Sequence, residues 1–255
     1  MKIIALLCAL LASTSLQAWN CKFEKNFDQS LDLSNSEKLS VLAAAGDLEI
    51  KGVDQGDQAS IRGRVCVSEE EWLDESRVET RGGQDAEIVV ELPDVGDGWS
   101  LTGSRYAYMD LRLEVPAGVV LDIRDSAGDV EIDGVGEVRV KDSSGDIEIE
   151  NTSGSATVQD SSGDIVFSKI GGDVTIVSDS SGDIHGKGIT GSVLVRSDSS
   201  GDIRFSDVGE NFIVERDSSG DISANVVAGD FRVLKDGSGE ISATDVSGEV
   251  STPNS

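Results

Sequence analysis

The chain has 255 residues, with 21 basic and 48 acidic side chains, and its formal net charge is −27 at pH 7. So negative a protein excludes nucleic acid and anionic lipid as partners, because both would be repelled. Apolar residues still make up 38% of the chain and recur at regular intervals, which excludes a disordered polyanion.

The first 18 residues have the layout of an export signal. Lys2 precedes the apolar run 3–12, and small and polar residues then lead to Ala18. This order is typical of a secretory signal peptide. We predict cleavage after Ala18 and a mature bacterial protein that is periplasmic, secreted or on the cell surface. The apolar run is shorter than the ~20 residues that a bilayer span needs and no second run follows, so no membrane span is expected.

Two cysteines, Cys21 and Cys66, remain after that cleavage. Thiols are oxidised in export compartments, which favours a disulfide between them. The alternative is a metal-binding or redox pair, but neither CxxC spacing nor a neighbouring histidine supports it. We therefore predict a structural disulfide that pins the start of the mature chain to an early strand.

Residues 19–116 are irregular, and we interpret them as the start and N-terminal cap of the fold rather than as a separate domain. Segment 45–53 carries the Gly-Asp-x-x-Ile phrase of the later repeats and predicts an early coil. Strand-like alternation follows over 59–67, 87–92 and 109–115, and a short helix is predicted within 69–76. A cap here would cover a strand edge that is otherwise exposed.

The aromatic residues Trp99, Tyr106 and Tyr108 cluster in this region. They suit either a hydrophobic plug for the end of the fold or a stacking platform for a sugar or a protein partner. We favour the plug, because aromatic side chains most often pack in a hydrophobic core.

Residues 117–255 contain seven copies of a motif close to Asp-Ser-Ser-Gly-Asp, spaced 17 to 19 residues apart. The copies begin at Asp125, Asp142, Asp160, Asp179, Asp198, Asp217 and Asp236. Each copy holds two short alternating strands separated by a glycine. In one copy the alternation turns Ile203, Phe205, Phe212 and Val214 inward and leaves Arg204 and Ile213 outward.

A repeat with only about five inward side chains cannot bury a core alone and must stack on its neighbours. The fold class is therefore all-β, a parallel β-solenoid (β-helix) of about 17–19 residues per coil. Equivalent residues should lie roughly 4.8 Å apart in successive coils. We expect a right-handed coil, as for most parallel crossovers, and one continuous domain over 19–255.

The phrase Leu111-Arg112-Leu113-Glu114-Val115-Pro116-Ala117-Gly118-Val119, followed by repeated Ser-Gly-Asp-Ile units, resembles the bacterial toastrack family, also labelled "putative adhesin". The resemblance covers about residues 40–250. It implies an envelope protein with an exported or membrane-attached β-repeat domain, a kind sometimes linked to envelope-stress systems. The family is defined without a known function.

The repeated carboxylates argue against catalysis, so no catalytic residue is predicted. Glycoside chemistry needs two carboxylates in differently tuned environments, whereas these occupy near-identical settings. Spacings of 17 to 19 residues also leave no room for loops that would build a cleft. His185, the one histidine, occupies the outward slot of Val166 and Arg204 in adjacent copies, which indicates a solvated face residue rather than a base. A carbohydrate-active β-helix enzyme is the alternative.

Two columns of acidic residues flank the repeated corner. The first column contains the aspartates that begin the motif. The second column contains Asp129, Asp146, Asp164, Asp183, Asp202, Asp221 and Glu240. Neighbouring carboxylates at ~4.8 Å repel each other by about 0.9 kcal/mol even in bulk water, so something must offset the repulsion.

Three explanations for that offset are open. Arg124, Lys141, Arg216 and Lys235 directly precede their motif aspartates, but the middle copies lack such a cation. Hydrogen bonds in the turn together with salt screening would also serve. Bound Ca²⁺ would suit the oxygen ligands of Asp164, Asp183 and Asp202. No other cofactor is predicted.

These observations predict a non-enzymatic, exported envelope protein. Its rigid acidic scaffold would serve in interaction or adhesion, with an envelope protein or a polysaccharide as partner. The sequence does not indicate an oligomeric state.

Overall fold

A computed structural model describes residues 21–54, 56–96 and 105–253. The predicted signal peptide and Trp99 lie outside the described residues. Two eleven-stranded sheets, here called A and B, face each other across the core. In spatial order, sheet A contains β1 (Phe23–Asp32), β4 (Gln58–Val67), β7 (Ala107–Pro116), β3 (Leu48–Val53), β9 (Val130–Asp133), β11 (Ile147–Glu150), β13 (Ile165–Ile170), β15 (Ile184–Ile189), β17 (Ile203–Val208), β19 (Ile222–Val227) and β21 (Ile241–Val246).

Sheet B is built in the same way from the other half of each coil. Its order is β5 (Arg77–Arg81), β6 (Asp85–Glu91), β2 (Lys38–Leu42), β8 (Leu121–Arg124), β10 (Val138–Lys141), β12 (Ala156–Gln159), β14 (Val174–Ser178), β16 (Val193–Val195), β18 (Phe212–Val214), β20 (Phe231–Val233) and β22 (Val250–Ser251). The chain thus alternates between the sheets and forms a parallel β-solenoid of about seven turns, as predicted.

The register of the strands follows the repeat. Ile203 pairs with Ile184 of the preceding coil and with Ile222 of the next, and all three are fully buried. Phe205, Phe212 and Val214 also point into the core, while Arg204 and Ile213 face outward. The predicted inward and outward positions are confirmed.

Phenylalanine rings fill the middle of the core. The ring centroids of Phe205 and Phe212 are 5.4 Å apart, as are those of Phe212 and Phe231, and Phe167 lies 6.3 Å from Phe205. Offset rings at such distances gain contact energy beyond their buried area. This cluster joins sheets A and B, and it was not predicted from the sequence.

The N-terminal region continues both sheets rather than forming a separate one. The predicted strands are present as β4, β6 and β7, and the early coil is present as β3, which pairs in parallel with β9 of the first repeat. Strands β1, β4 and β7 are antiparallel. The structure joins Cys21 and Cys66 in a disulfide, with their Cα atoms 5.6 Å apart.

The buried aromatic residue at the N-terminal end is Trp72 in the short helix α1 (Trp72–Glu75). Arg105 lies over its ring, 4.7 Å from the centroid. Tyr106 and Tyr108 are only half-buried, so they are not the plug that we predicted. Among the described residues no helix is long and apolar enough to cross a bilayer.

Candidate functional site

The repeated corner is built by glycines that lie against one another in successive coils. Gly182 has a φ of +130°, and a Cβ placed on it would lie 1.9 Å from the carbonyl oxygen of Gly163. Both the left-handed conformation and the close approach exclude a side chain. Because the backbones stack so closely, the two acidic columns are held in fixed positions on either side of the glycines.

The first column is buried, which the sequence analysis did not foresee. Six of its seven members are at most 6% exposed: Asp125, Asp142, Asp160, Asp179, Asp198 and Asp217. The seventh, Asp236 in the last coil, is half-buried. Asp179 Oδ1 accepts a hydrogen bond of 2.7 Å from the backbone N–H of Ser180, and Asp198 accepts the equivalent bond from Ser199. The other carboxylate oxygen of each is buried without a partner among the described residues.

Burial changes the acidity of the first column. It is the main cause that raises the pKa of Asp125 to about 7, with the neighbouring Asp142 carboxylate as the next cause. Burial likewise raises the pKa of Asp198 to about 7, helped by Asp179 and Asp217. A carboxylic acid in such a row is favoured in its neutral form, because charge in low dielectric costs solvation energy.

The second column forms a continuous hydrogen-bonded ladder. The backbone N–H of Asp183 donates to Asp164 Oδ1 at 2.8 Å, and the N–H of Asp202 donates to Asp183 Oδ1 at 2.8 Å. The same link repeats from Asp110 at one end to Glu240 at the other. Hydrogen bonds to a charged acceptor are stronger than neutral ones, and this offsets part of the repulsion within the column.

A cation also lies beside the second column in its middle coils. Arg204 forms an ion pair with Asp202 and lies 3.8 Å from Asp183, while His185 Nε2 is 3.9 Å from Asp183. Arg204 therefore compensates the second column here, although no cation precedes the motif aspartates of the middle copies. The pKa of Asp202 is lowered, first by the N–H of Asp221 and then by Arg204.

Asp164, Asp183 and Asp202, the predicted Ca²⁺ ligands, lie one above another in successive coils. Each of them already accepts a backbone hydrogen bond through Oδ1. Within 21–54, 56–96 and 105–253, no group of three or more His, Cys, Asp or Glu side chains is arranged to hold a metal ion. Calcium binding at this column stays a prediction.

A third column of polar residues lies on sheet B, and it was not predicted from the sequence. The side chain of the residue before each of β12, β14, β16, β18 and β20 accepts the backbone N–H of its counterpart in the next coil. This column contains Ser155, Asp173, Ser192, Asn211, Asp230 and Glu249. A sequence signal was available, because one small or acidic polar residue precedes every strand of sheet B in these coils.

The outward side of sheet A changes character along the solenoid. Glu49, Glu131 and Glu148 are paired in register, and burial followed by the nearby carboxylates raises the pKa of Glu148. Further along, the same slot holds His185 and Arg204. The face therefore carries three adjacent glutamates in β3, β9 and β11, with Arg112 of β7 paired to Glu49, and it is mixed in charge in the middle.

Comparison with known proteins gives a family and several solved structures. The family profile described as "Toastrack DUF4097" matches residues 15–185. No curated protein matches the chain. A "putative cell adhesion protein" from Clostridium sporogenes ATCC 15579 is 14% identical over 90% of this chain and 100% of its own, with a TM-score of 0.35.

Two further solved structures have similarly low sequence identity and similarly high coverage. A "putative adhesin" from Bacteroides fragilis NCTC 9343 is 13% identical over 89% of this chain and 97% of its own, with a TM-score of 0.44. A "putative lipid binding protein" from Parabacteroides distasonis ATCC 8503 is 13% identical over 90% and 97%, with a TM-score of 0.42. At these values the matches carry no argument about ligands.

Proposed function

The chain belongs to the Toastrack DUF4097 family, and from that premise we propose that it is a non-enzymatic, exported scaffold. Its rigid acidic solenoid presents repeated surfaces to an envelope protein or a polysaccharide, in the periplasm or at the cell surface. A signal peptide over residues 1–18 would bring it there.

One observation carries this proposal: the carboxylates of the second column make the same backbone contact coil after coil. Asp164, Asp183 and Asp202 each accept one backbone N–H from the following coil. A glycosidase needs one carboxyl group that stays protonated beside another that is ionised, at a defined separation. A backbone contact repeated in this way does not create that difference, and Arg204 beside Asp183 and Asp202 favours the ionised form of both. The repeated contacts instead suit a surface whose feature is repetition.

The first column does hold carboxyl groups with raised pKa values, but these groups do not meet the needs of catalysis. Asp125 and Asp198 are at most 6% exposed and lie under the glycine corner. A general acid must lie within hydrogen-bond reach of a bound substrate. The raised pKa values therefore support a structural role for this column.

The proposal is tested with the purified mature protein. It is incubated with peptidoglycan and a panel of bacterial polysaccharides at pH 5 and pH 7.5, and released reducing ends are measured against a glycosidase as positive control. We expect no release above the buffer blank. In parallel, cell fractionation should place the protein outside the cytoplasm, with its N-terminus at Trp19. Turnover of any polysaccharide, or retention in the cytoplasm, would overturn the scaffold proposal.

A further inference from the structure

The last coil of the described chain is left uncovered on one side. Ile222 and Val227 are fully buried in β19, whereas their counterparts Ile241 and Val246 in β21 are only half-buried, as is Ala243. The difference arises because the coil that contains β19 is covered by the coil that contains β21, whereas no described residue covers the coil of β21. Residues 239–253 are called the open end below.

Exposed apolar side chains concentrate beside the open end. Three large apolar residues of the described chain are strongly exposed: Val226 at 43%, Leu234 at 61% and Val250 at 54%. All three lie in the last two coils. The counterpart of Val250 in the preceding coil, Phe231, is fully buried. Val250 therefore joins Ile241, Ala243 and Val246 on the uncovered side of the last coil, and exposed apolar surface of this kind is typical of an interaction site.

The backbone of the open end also has N–H groups available for hydrogen bonds to an added strand. The N–H of Ile222 donates to the carbonyl of Glu240 in the next coil. By the same register, the N–H groups of Ile241 and Ala243 face away from the solenoid, where the described residues offer no acceptor. The second and third columns end here at Glu240 and Glu249. Their carboxylates occupy the positions that accept an N–H from a following coil elsewhere in the solenoid.

The opposite end of the solenoid is protected. Edge strand β1 is largely covered by charged and polar side chains, including Glu24, Lys25 and Asp28, and the Cys21–Cys66 disulfide holds its start. Charged side chains on an edge strand discourage pairing with other chains. Strand β21 has the sequence Ile-Ser-Ala-Thr-Asp-Val, with no lysine, arginine or proline to block its edge.

Charge determines which partner suits the open end. Asp236, Glu240, Asp245 and Glu249 surround it, and the nearby Arg232 is already paired with Asp230 and Glu249. A second copy of this end would bring the same acidic residues, and both chains carry a large negative charge. A basic segment would be attracted instead.

We propose that the open end binds an extended, basic segment of another protein, which adds one strand to sheet A and covers the exposed core residues. Alternate apolar side chains of that segment pack on Ile241, Ala243 and Val246. Its backbone pairs with β21, and its lysine or arginine side chains meet Glu240 and Glu249. Strand addition of this kind draws affinity from main-chain hydrogen bonds and specificity from alternate side chains. This inference rests on the proposed scaffold function and locates one of its binding surfaces.

The probe is a fluorescein-labelled peptide that copies residues 239–250 with lysine at the positions of Glu240, Asp245 and Glu249. It is titrated with the mature protein, and binding is followed by fluorescence anisotropy. Two control peptides are the unaltered acidic copy and a scrambled version of the basic one. We expect the basic copy to bind at least about tenfold more tightly than either control, equivalent to ~1.4 kcal/mol.

Matched protein variants locate the binding. The pair Glu240→Lys and Glu249→Lys reverses charge at the open end, and the pair Glu70→Lys and Glu71→Lys makes the same net change near the N-terminal end. We expect the first pair to weaken binding at least about tenfold and the second to leave it unchanged. Ala243→Pro removes one outward N–H and should also weaken binding. Circular dichroism establishes that each variant is folded.

Four results would overturn the proposal. Equal binding of the scrambled and the ordered basic peptides would mean that attraction to the acidic surface is non-specific. Equal losses of binding in both charge-reversed pairs would lead to the same conclusion. Association of the protein with itself in sedimentation, abolished by Ala243→Pro, would assign the open end to a second copy. No peptide binding in folded wild-type protein would reject strand addition but leave the scaffold function standing, whereas polysaccharide turnover would reject the scaffold function alone.

Discussion

The ring of Phe205 occupies the space that a side chain on Gly186 would need. A Cβ added to Gly186 would lie 2.1 Å from Cε1 of the ring, and the two residues are paired in register in adjacent coils. On the other side of Gly186, Phe167 lies 6.3 Å from Phe205. One glycine in the inward slot thus lets two large rings approach each other across a coil.

Truncating that ring should be costly. Phe205→Ala removes a buried aromatic side chain beside a glycine, so little neighbouring material can fill the cavity, and we expect a loss of about 3 to 5 kcal/mol in the free energy of unfolding. Urea denaturation measures it. Ser223→Ala, on the outward face of β19, is the matched control and should change stability by less than about 0.5 kcal/mol. A cost near zero for Phe205→Ala would contradict the assigned register.

The first column predicts a protein that is more stable in mild acid than at neutral pH. Asp125 and Asp198 have pKa values of about 7 and Asp160 of about 6, whereas unfolded aspartates titrate near ~3.9. Between those limits the folded chain binds more protons, so its free energy of unfolding falls as the pH rises. The melting temperature should drop on the order of 5 °C or more from pH 5 to pH 8.

The control for this pH dependence is the triple variant Asp125→Asn, Asp160→Asn and Asp198→Asn. It cannot ionise at these three sites, so its melting temperature should vary less with pH and should exceed that of the wild type at pH 8. Differential scanning calorimetry measures both. A wild-type melting temperature that rises toward pH 8 would contradict the role assigned to the first column.

The second column predicts how the protein responds to ions. Screening of like charges should raise the melting temperature with NaCl. If Asp164, Asp183 and Asp202 bind Ca²⁺, millimolar CaCl₂ should raise it further than NaCl of equal ionic strength, because a ligand of the native state stabilises by mass action. Asparagine at all three sites keeps an oxygen acceptor for the ladder and should abolish the extra effect without lowering ligand-free stability. Equal responses to both salts would reject the metal site.

The disulfide predicts a loss of stability on reduction. Cys21 and Cys66 are 45 residues apart, and closing a loop of that size stabilises by up to about 4 kcal/mol in the chain-entropy model. The variant Cys21→Ser with Cys66→Ser should unfold at lower urea concentration than the oxidised wild type and match the wild type in reductant. Mass spectrometry of protein purified from the periplasm should detect no free thiol at either position.

Periodicity explains why much of the fold was predictable. Positions such as Ile203 and Arg204 recur at a fixed offset in every repeat. Once the inward and outward positions of one repeat are assigned, those of the other repeats follow. The N-terminal strand order was not predictable, because nothing in the local pattern of β1 indicates that it pairs with β4. Turn geometry explains why the burial of the first column was not predicted. Asp179 and Asp183 have similar neighbours in sequence, yet only Asp179 is buried, since the glycine corner turns one side chain inward and the other outward.

The ladder of the second column gives the solenoid a direction. Asp164 accepts its hydrogen bond from the coil that follows it in the chain, as do the other carboxylates from Asp47 to Asp221. A newly docked coil therefore presents an unused acceptor at its leading edge, and the next stretch of chain brings the donor. Because synthesis delivers the N-terminus first, acceptors become available in the order in which donors emerge. Each docked coil can thus serve as the template for the next, from the disulfide-bonded end toward β21, on whose outer side no described strand lies.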